Sequence, residues 1–470
     1  LNQSIKTWGV NRKEMNAKDL FNTRSASVGV VGLGYAGLPL ALALAKAKFR
    51  VIGYDVQLEK IDLIKQGISY IEDIDSRELA EVVNQGYLIT SENFKLLQQA
   101  NAICICVPTP LTKQKEPVTG YIEEVAARLS TILQRGQLII FESTSYPGTT
   151  REIALPLLEQ SGLKAGKDFY LAYSPERVDP TNKRYNLKNT PKLVGGYDVA
   201  STELACALYS QIVDQVVPVS SIEVAEITKL FENCFRLVNI AYVNEFAKLC
   251  DRLGINIWEV IDNASTKPFG YMAFYPGPGI GGHCIPVNPY FLMCKAREHD
   301  FHVRFLELAT AINEEMPYYV ATKITELIAS RGKGIRDARI LLLGVAYKKD
   351  VGDLRGSPAV LIMEILSRQG AEVFFNDPYI ARVTIEGRIL YSQEITPEVL
   401  SGMDCVVIAT DHSAYDYEYI IGHSKLVFDT RGVTRRAPAN GFVNVFRLGG
   451  GTISVAGEYS SDSVISLKER

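Results

Sequence analysis

The sequence predicts an α/β chain: two Rossmann-like, doubly wound units joined by a long central helix and a helical segment. Three observations predict it. A glycine-patterned strand–turn–helix opens the chain's first ordered stretch, a partial repeat of that unit begins at Arg339, and between them a helical run continues for over seven turns without Pro or Gly.

The first unit opens with SVGVVGLGYAGLPLALALAKAKFRVIGYD. Ser27–Val31 reads as a buried strand, Leu38–Lys48 as a helix and Val51–Tyr54 as a second strand ending at Asp55. Gly32, Gly34 and Gly37 make GxGxxG, in which one glycine permits a tight turn, one admits a pyrophosphate and one lets helix pack on strand. Asp55 follows Gly37 by eighteen residues, about where an acid accepts both ribose hydroxyls. An acid there repels a 2′-phosphate, so the expected cofactor is NAD rather than NADP. Further strands are expected at Ala102–Val107, Leu138–Glu142 and Phe169–Tyr173. Their polar ends, Pro108-Thr109-Pro110, Ser143-Thr144-Ser145 and Ser174-Pro175-Glu176-Arg177, stand where such sheets line the cofactor crevice.

Ile222–Leu253 then reads as one long helix. Lys229 and Asn233 are four apart and share a face, which Glu226 and Arg236 extend as a polar stripe. That stripe reads either as a solvated face or as part of a site. Much of the remaining surface is apolar, as in a strut between domains or subunits. The third unit repeats strand, Gly and helix in RILLLGVAYKKD and SPAVLIMEILSRQG, followed by AEVFFNDP and strands at Cys405–Thr410 and Leu426–Asp429. Ala346 and Tyr347 interrupt its glycine pattern, so a second ordinary dinucleotide site is not expected there, although a different nucleotide could bind. The stretch from about Ala437 to Arg470 is partly Gly- and Ser-rich, and nothing in it indicates a role.

Composition excludes several function classes. A net charge of −3 and a pI near 6.1 give no electrostatic case for nucleic acid. The eight cysteines lack CxxC pairing and the five histidines lack HxxxH spacing, so neither a zinc site nor a disulfide scaffold is expected. Cys104 and Cys106 read as core residues on one face of a buried strand. No apolar run is long enough to span a bilayer, and the polar start LNQSIKTWGVNRKEMN does not read as a signal peptide, so a reducing cytoplasm is the expected home.

The stretch FYPGPGIGGHCIPVNPY carries the chemistry. Gly281, Gly282 and Pro286 around Cys284 place that thiol on a loop whose backbone can approach a ligand closely. Asn288-Pro289 reads as N-cap plus first helical residue; a helix end aimed at Cys284 would favour thiolate. A buried or incidental loop cysteine is the plain alternative. Oxidising an alcohol to an aldehyde needs no thiol. Carrying an aldehyde on to an acid does, through thiohemiacetal, thioester and hydrolysis. Lys229 and Asn233 are suitable donors for the developing alkoxide.

The chain resembles the UDP-glucose/GDP-mannose dehydrogenase family from about Ser25 to Gly432. The motifs are VGLGYAGLPLA, CVPTP, ESTSYPGTT, YSPERVDP, EITKLFENCFRLVNIA, PGPGIGGHCIPVNPY and GVAYKKDVGDLRGSPA. GGHCIP, ASTKPFGYMAFYPGPG and NKRYNLKNTPKLVGG are similar to those of UDP-N-acetylglucosamine 6-dehydrogenases. The resemblance implies oxidation of a sugar C6 hydroxymethyl to a carboxylate with two NAD and a cysteine thioester, feeding surface polysaccharide synthesis. It implies Cys284 as nucleophile, Lys229 and Asn233 as holders of the reacting oxygen, Glu176 in proton transfer and Thr144 near the catalytic water. Gly32, Gly34, Tyr35, Ala36, Gly37, Asp55, Lys60, Pro108, Thr109, Thr144 and Arg355 are the implied cofactor contacts. Lys348, with Tyr275, Gly277 and Gly279, is implied in binding the nucleotide sugar beside Glu176, Lys229 and Asn233. Arg177 is a candidate reader of the N-acetyl group, with a surface role as the alternative.

The expected division is residues 25–215 for NAD, 216–325 for the central helical domain with the cysteine loop, 326–440 for UDP, and 441–470 as a tail. A homodimer or higher homo-oligomer is expected. Two departures from the family pattern stand out: Asn288 replaces the usual Asp four residues after the cysteine, and Gly356 replaces a common Glu after DxR. The first removes a negative charge beside the site, so a slow or silent nucleotide-sugar binding protein is the rival reading. UDP-glucose and the other UDP-N-acetylhexosamines stay open as substrates, because motifs do not read a stereocentre.

Overall fold

The computed structural model describes residues 17–71, 73–179, 182, 184–436 and 444–451. The polar start and most of the stretch after Ala437 lie outside them. The chain divides into two compact units: residues 1–233 with 287–303, and 234–286 with 304–470.

Eight short strands build the sheet of the first unit. They are β1 (Ser27–Val31), β2 (Arg50–Tyr54), β3 (Leu88–Ser91), β4 (Ala102–Ile105), β5 (Leu138–Phe141), β6 (Tyr170–Tyr173), β7 (Lys192–Gly196) and β8 (Val216–Pro218). Their order is 3-2-1-4-5-6-7-8, parallel throughout except where β7 runs against β6. Runs such as SVGVV and LIIF are buried along their whole length. That is the signature of a sheet covered on both faces, and separate apolar cores lie on its two sides. The strand order reverses between β1 and β4, which opens a crevice at their carboxyl ends. The expected strand positions hold to within one or two residues at each end. Cys106 is an exception to its expected place: β4 ends at Ile105, so Cys106 stands just past the strand, against the Gly32 turn.

The helix Ile222–Leu253 runs for 32 residues, about 48 Å at the usual rise. Its residues up to Asn233 belong to the first unit and those from Cys234 to the second. Glu226 corrects the solvated-stripe reading. It is fully buried, because the loop after β5 packs its backbone N–H groups onto that carboxylate.

In the second unit, β9 (Arg339–Leu343), β10 (Glu372–Asn376), β13 (Cys405–Ile408), β14 (Val427–Asp429) and β15 (Val445–Arg447) form a parallel sheet in the order 10-9-13-14-15. The hairpin β11 (Arg382–Ile385) and β12 (Arg388–Tyr391) is a separate two-stranded sheet whose Val383 and Ile385 join the same buried core. β15 lies in the partly Gly- and Ser-rich stretch beyond Ala437, for which no role was expected. Just beyond it, Leu448 accepts the Trp258 indole N–H at 2.8 Å. A second long helix, Arg304–Ser330, carries Pro317 in its interior and a continuous buried face from Leu306 to Ile328.

Candidate active site

The turn after β1 is shaped to receive a dinucleotide. Gly32 holds φ +88°, which only glycine adopts without strain, and a methyl on Gly37 would meet the Gly32 carbonyl at 1.8 Å. At Gly34 nothing lies within 4 Å of where a side chain would begin, which leaves open space above the turn. Tyr35 is exposed beside it and Ala36 offers the following helix no capping side chain, so that helix's first N–H groups have no side-chain partner. The Asp55 carboxylate braces the turn, accepting from Leu33 N–H at 2.8 Å and Gln57 N–H at 2.9 Å, with Lys60 Nζ at 3.7 Å. These residues fit a bound dinucleotide.

Three segments meet beyond the strand ends. Thr109, after β4, donates its hydroxyl to the Thr144 carbonyl at 2.6 Å, beside exposed Pro108. Lys229, on the long helix, donates to Thr144 Oγ1 at 2.8 Å. Asn233 follows one turn later. One turn before Lys229, Glu226 accepts from Gly148 N–H at 2.7 Å, Thr150 N–H at 2.9 Å and the Thr150 hydroxyl at 2.7 Å. The helix thus grips the Thr144–Thr150 loop at two levels. Burial pushes Glu226 up to about 7, against these donors, which favour the charged form.

This raised value gives stability a pH dependence. Between the ordinary 4.5 and about 7, the folded chain holds a proton at Glu226 that the unfolded chain releases. Its contribution is present at low pH and is lost as pH rises through about 7. The melting temperature of Glu226→Gln, relative to the parent, is therefore expected to improve from about pH 5 to about pH 8, by the equivalent of roughly 3 kcal/mol at most. Calorimetric scans of both proteins check this, and a gap independent of pH would refute it.

Glu176 lies past β6 with one carboxylate oxygen accepting Val178 N–H and the other 4.0 Å from Lys192 Nζ. Arg177 turns away, pairing with Glu232 at 2.6 Å and donating to the Pro191 carbonyl at 2.8 Å. Asn288 departs from its expected place as a cap. The helix Asn288–Arg297 is preceded by Val287 in helical conformation, and no side chain caps it. Pro289 suits a first turn whichever residue opens it. The Asn288 amide is instead buried, and its Nδ2 meets no acceptor among the described residues.

In the second unit, the loop before Cys284 packs against residues that follow β9 and β14. Asn244, in the middle of the long helix, accepts Gly277 N–H at 3.0 Å and is itself held by Asn313 at 2.9 Å. A side chain at Gly277 would strike Arg431 at 2.9 Å, and one at Gly279 would strike Pro358 at 3.1 Å. Tyr275 stacks on Trp258, donates to Asp262 at 2.8 Å and lies under Arg435. Gly282, at φ +87°, donates to the Arg355 carbonyl at 2.8 Å, while the Arg355 guanidinium is paired with Asp353. Cys284 is exposed at the end of this braced loop. Lys348 is half-buried on the stretch after β9. That stretch is pinned at both ends: Asp377 accepts Val345 and Ala346 N–H at 2.7 and 3.0 Å, and His412 Nδ1 accepts Asp350 N–H at 2.9 Å.

Three family models match this chain in succession. They describe the NAD-binding domain (26–213), the central domain (223–315) and the UDP-binding domain (341–436) of the UDP-glucose/GDP-mannose dehydrogenases. The chain belongs to the UDP-glucose/GDP-mannose dehydrogenase family. Its relatives include the UDP-N-acetyl-D-mannosamine dehydrogenase of Pyrococcus horikoshii, 37% identical over 88% of this chain and 97% of that one. The UDP-N-acetyl-D-glucosamine 6-dehydrogenase of Pseudomonas aeruginosa is 34% identical over 83% and 92%. A solved structure of the Pyrococcus horikoshii UDP-D-ManNAc dehydrogenase superposes with a TM-score of 0.82, covering 90% of this chain and 99% of that one.

As a member of this family the protein is an NAD-dependent nucleotide-sugar oxidoreductase, as the glycine turn and the thiol loop led one to expect. Among the described residues no helix is long and apolar enough to cross a membrane, and no cluster of His, Cys, Asp or Glu could hold a metal ion. Several residues around the family's motifs escaped the sequence reading: Glu142, Lys192, Asn244, Asn313 and Arg431. Each is a polar residue within or beside an apolar run. That is the available signal, but it does not say which partner the residue meets.

Proposed function

We propose that the protein oxidises C6 of a UDP-N-acetylhexosamine to the uronate in two successive two-electron steps, for surface polysaccharide synthesis in the cytoplasm. UDP-N-acetylglucosamine is the first candidate and its C2 epimer UDP-N-acetylmannosamine the second; relatives are named for each. The observation that carries this reading is the exposed Cys284 at the end of a loop braced by the UDP-binding domain's own residues. A thiol built onto the unit that takes UDP suits a substrate delivered by its nucleotide. Residues 25–215, 216–325 and 326–440 are read as the NAD, central and UDP domains.

NAD, held by the Gly32–Gly37 turn and Asp55, supplies a hydride acceptor for each oxidation. The chain's own groups do the rest. Lys229 and Asn233 hold the reacting oxygen as it gains negative charge. Glu176 accepts and returns its proton. Cys284 sulfur bonds to the aldehyde carbon, giving a thiohemiacetal that becomes a thioester when the second hydride leaves. Water, held near Thr144, cleaves the C–S bond and frees carboxylate and thiol. Tyr275, Gly277, Gly279, Lys348 and Arg355 complete the substrate and cofactor contacts, whereas Arg177 would have to leave Glu232 and the Pro191 carbonyl to read an N-acetyl group. Incubation with NAD and a panel of UDP-hexoses and UDP-N-acetylhexosamines tests this. Two NADH per uronate are expected, fastest with an N-acetylated sugar. No NADH with any of them would end the proposal, and preference for UDP-glucose would overturn the substrate class.

Asn288, buried and with an Nδ2 that meets no acceptor among the described residues, supports a second reading, in which thioester hydrolysis is slow or absent. On that reading Asn288→Asp raises steady-state turnover by on the order of 10-fold or more, while the parent accumulates a sugar adduct visible by intact mass. Unchanged or slower turnover in the variant would rule it out.

The long helix supports a homodimer. Phe231, Phe235, Tyr242, Phe246, Leu249 and Leu253 recur at helical spacing and are all exposed, Phe231 at 70%. Such a stripe on one helix face is more than a monomer ordinarily leaves to water. Tyr242→Asp with Phe246→Asp is expected to halve the mass found by analytical ultracentrifugation. An unchanged mass would place any interface elsewhere.

A further inference from the structure

We propose that Lys192 is a positioning residue for Glu176, holding that carboxylate in its ionised, proton-accepting form from beneath. The proposal rests on the role given to Glu176 above. Lys192 opens β7, and Glu142 is the first residue beyond β5. Lys192 Nζ lies 2.8 Å from one Glu142 oxygen and 4.0 Å from Glu176 Oε2. The Lys192 and Glu142 side chains are 4% and 0% exposed, against 17% for Glu176. One buried cation therefore sits between two carboxylates, of which only Glu176 reaches solvent.

Among the described residues, Lys192 is the one cation in this cluster. The Tyr209 hydroxyl, from the helix Val199–Tyr209, donates to the other Glu142 oxygen, and its ring faces Lys192 Nζ at 4.8 Å. Cys104 on β4 lies near Glu142, and Cys106 just beyond it near both Glu142 and Glu176. Burial, reinforced by the Glu142 charge, pushes both thiols well up, so they stay neutral. Arg177, next to Glu176 in sequence, is committed to Glu232 and the Pro191 carbonyl.

A buried ion pair is a poor way to stabilise a sheet, since an apolar pair of similar volume commonly serves as well or better. Its position beneath a half-buried carboxylate gives it another use. A fixed positive charge within about 4–6 Å favours the ionised form of a carboxylate, and burial reduces its screening. Glu142 and Tyr209 in turn hold the ammonium at a fixed height.

The test uses the full-length protein and the pH dependence of kcat/KM for UDP-N-acetylglucosamine, or UDP-N-acetylmannosamine if that epimer is turned over faster, at saturating NAD. Lys192→Met alone strands a buried carboxylate, so the informative variant is Lys192→Met combined with Glu142→Gln, which keeps an acceptor for Tyr209. Because the opposing charge of Glu142 leaves together with that of Lys192, the acidic limb is expected to move up by about half a pH unit, a loss of roughly 3-fold on that limb, with the high-pH plateau largely kept. Lys192→Arg is expected to retain the parent limb. A double variant with the parent's limb would overturn the proposal, because a merely structural pair changes amplitude rather than the limb's position. Glu176→Gln, run in parallel, separates the two failures. If it keeps the parent rate and profile, the role of Glu176 is wrong; if it loses the limb while the double variant does not shift it, only Lys192 is wrong.

Discussion

Cys284→Ser is expected to make no uronate, with NADH formation falling by about 10³-fold or more, the scale on which loss of a covalent nucleophile is felt. The thiol's neighbours are all arranged by backbone: Gly277, Gly279 and Gly282 are fixed by close contacts or positive φ, and Asn244 and Arg355 hold their N–H groups. Serine fits that backbone, so the variant keeps its fold and its substrate site. What it lacks is a nucleophile able to add to an aldehyde at neutral pH and leave as a good leaving group. Intact-mass spectrometry after incubation with substrate and NAD should show a sugar adduct on the parent under quench and none on the variant. A variant that yields two NADH per sugar at a rate near the parent's would remove the cysteine from the chemistry, since the aldehyde would then reach the acid without a thioester.

Lys229→Met should lower kcat by about 10²–10³-fold with a much smaller change in KM, the pattern of a donor whose worth is realised at the transition state. Methionine keeps most of the stem's packing and loses the charge and the hydrogen bond to Thr144 Oγ1. Glu226, one turn earlier, still grips the loop backbone, so the Thr144 segment keeps its path. A merely structural lysine would instead show as a lower melting temperature with near-parent kcat. Single-turnover rates for the first and second NADH separate its effects on alcohol and aldehyde oxidation. If both stay within about threefold of the parent, Lys229 does not hold the reacting oxygen.

The legible parts of the site share one property: their chemistry is carried by consecutive residues. Gly32, Gly34 and Gly37 announce a tight, open turn because only glycine tolerates the backbone geometry, whatever packs later. GGHCIP announces a loop thiol for the same reason. Helical spacing places Lys229 and Asn233 on one face, and only the family resemblance suggests what that face does. Glu226 was harder, since nothing in EVAEITK tells a solvated carboxylate from one sealed under Gly148 and Thr150 some 76 residues away. Asn288 misled in a similar way: Asn before Pro is a good cap by local preference, but its amide is turned inward and buried.

The sequence by itself determined the fold class, the cofactor and the loop setting of Cys284, because strand burial, glycine geometry and the thiol's surroundings in sequence are local. Tertiary structure alone decided which polar groups inside apolar runs become partners: Lys192 with Glu142 and Glu176, Asn244 with Gly277 and Asn313, and Glu226 with the loop after β5. The physical reason is that a buried polar group must be paired, and its partner is chosen by which distant segment folds against it.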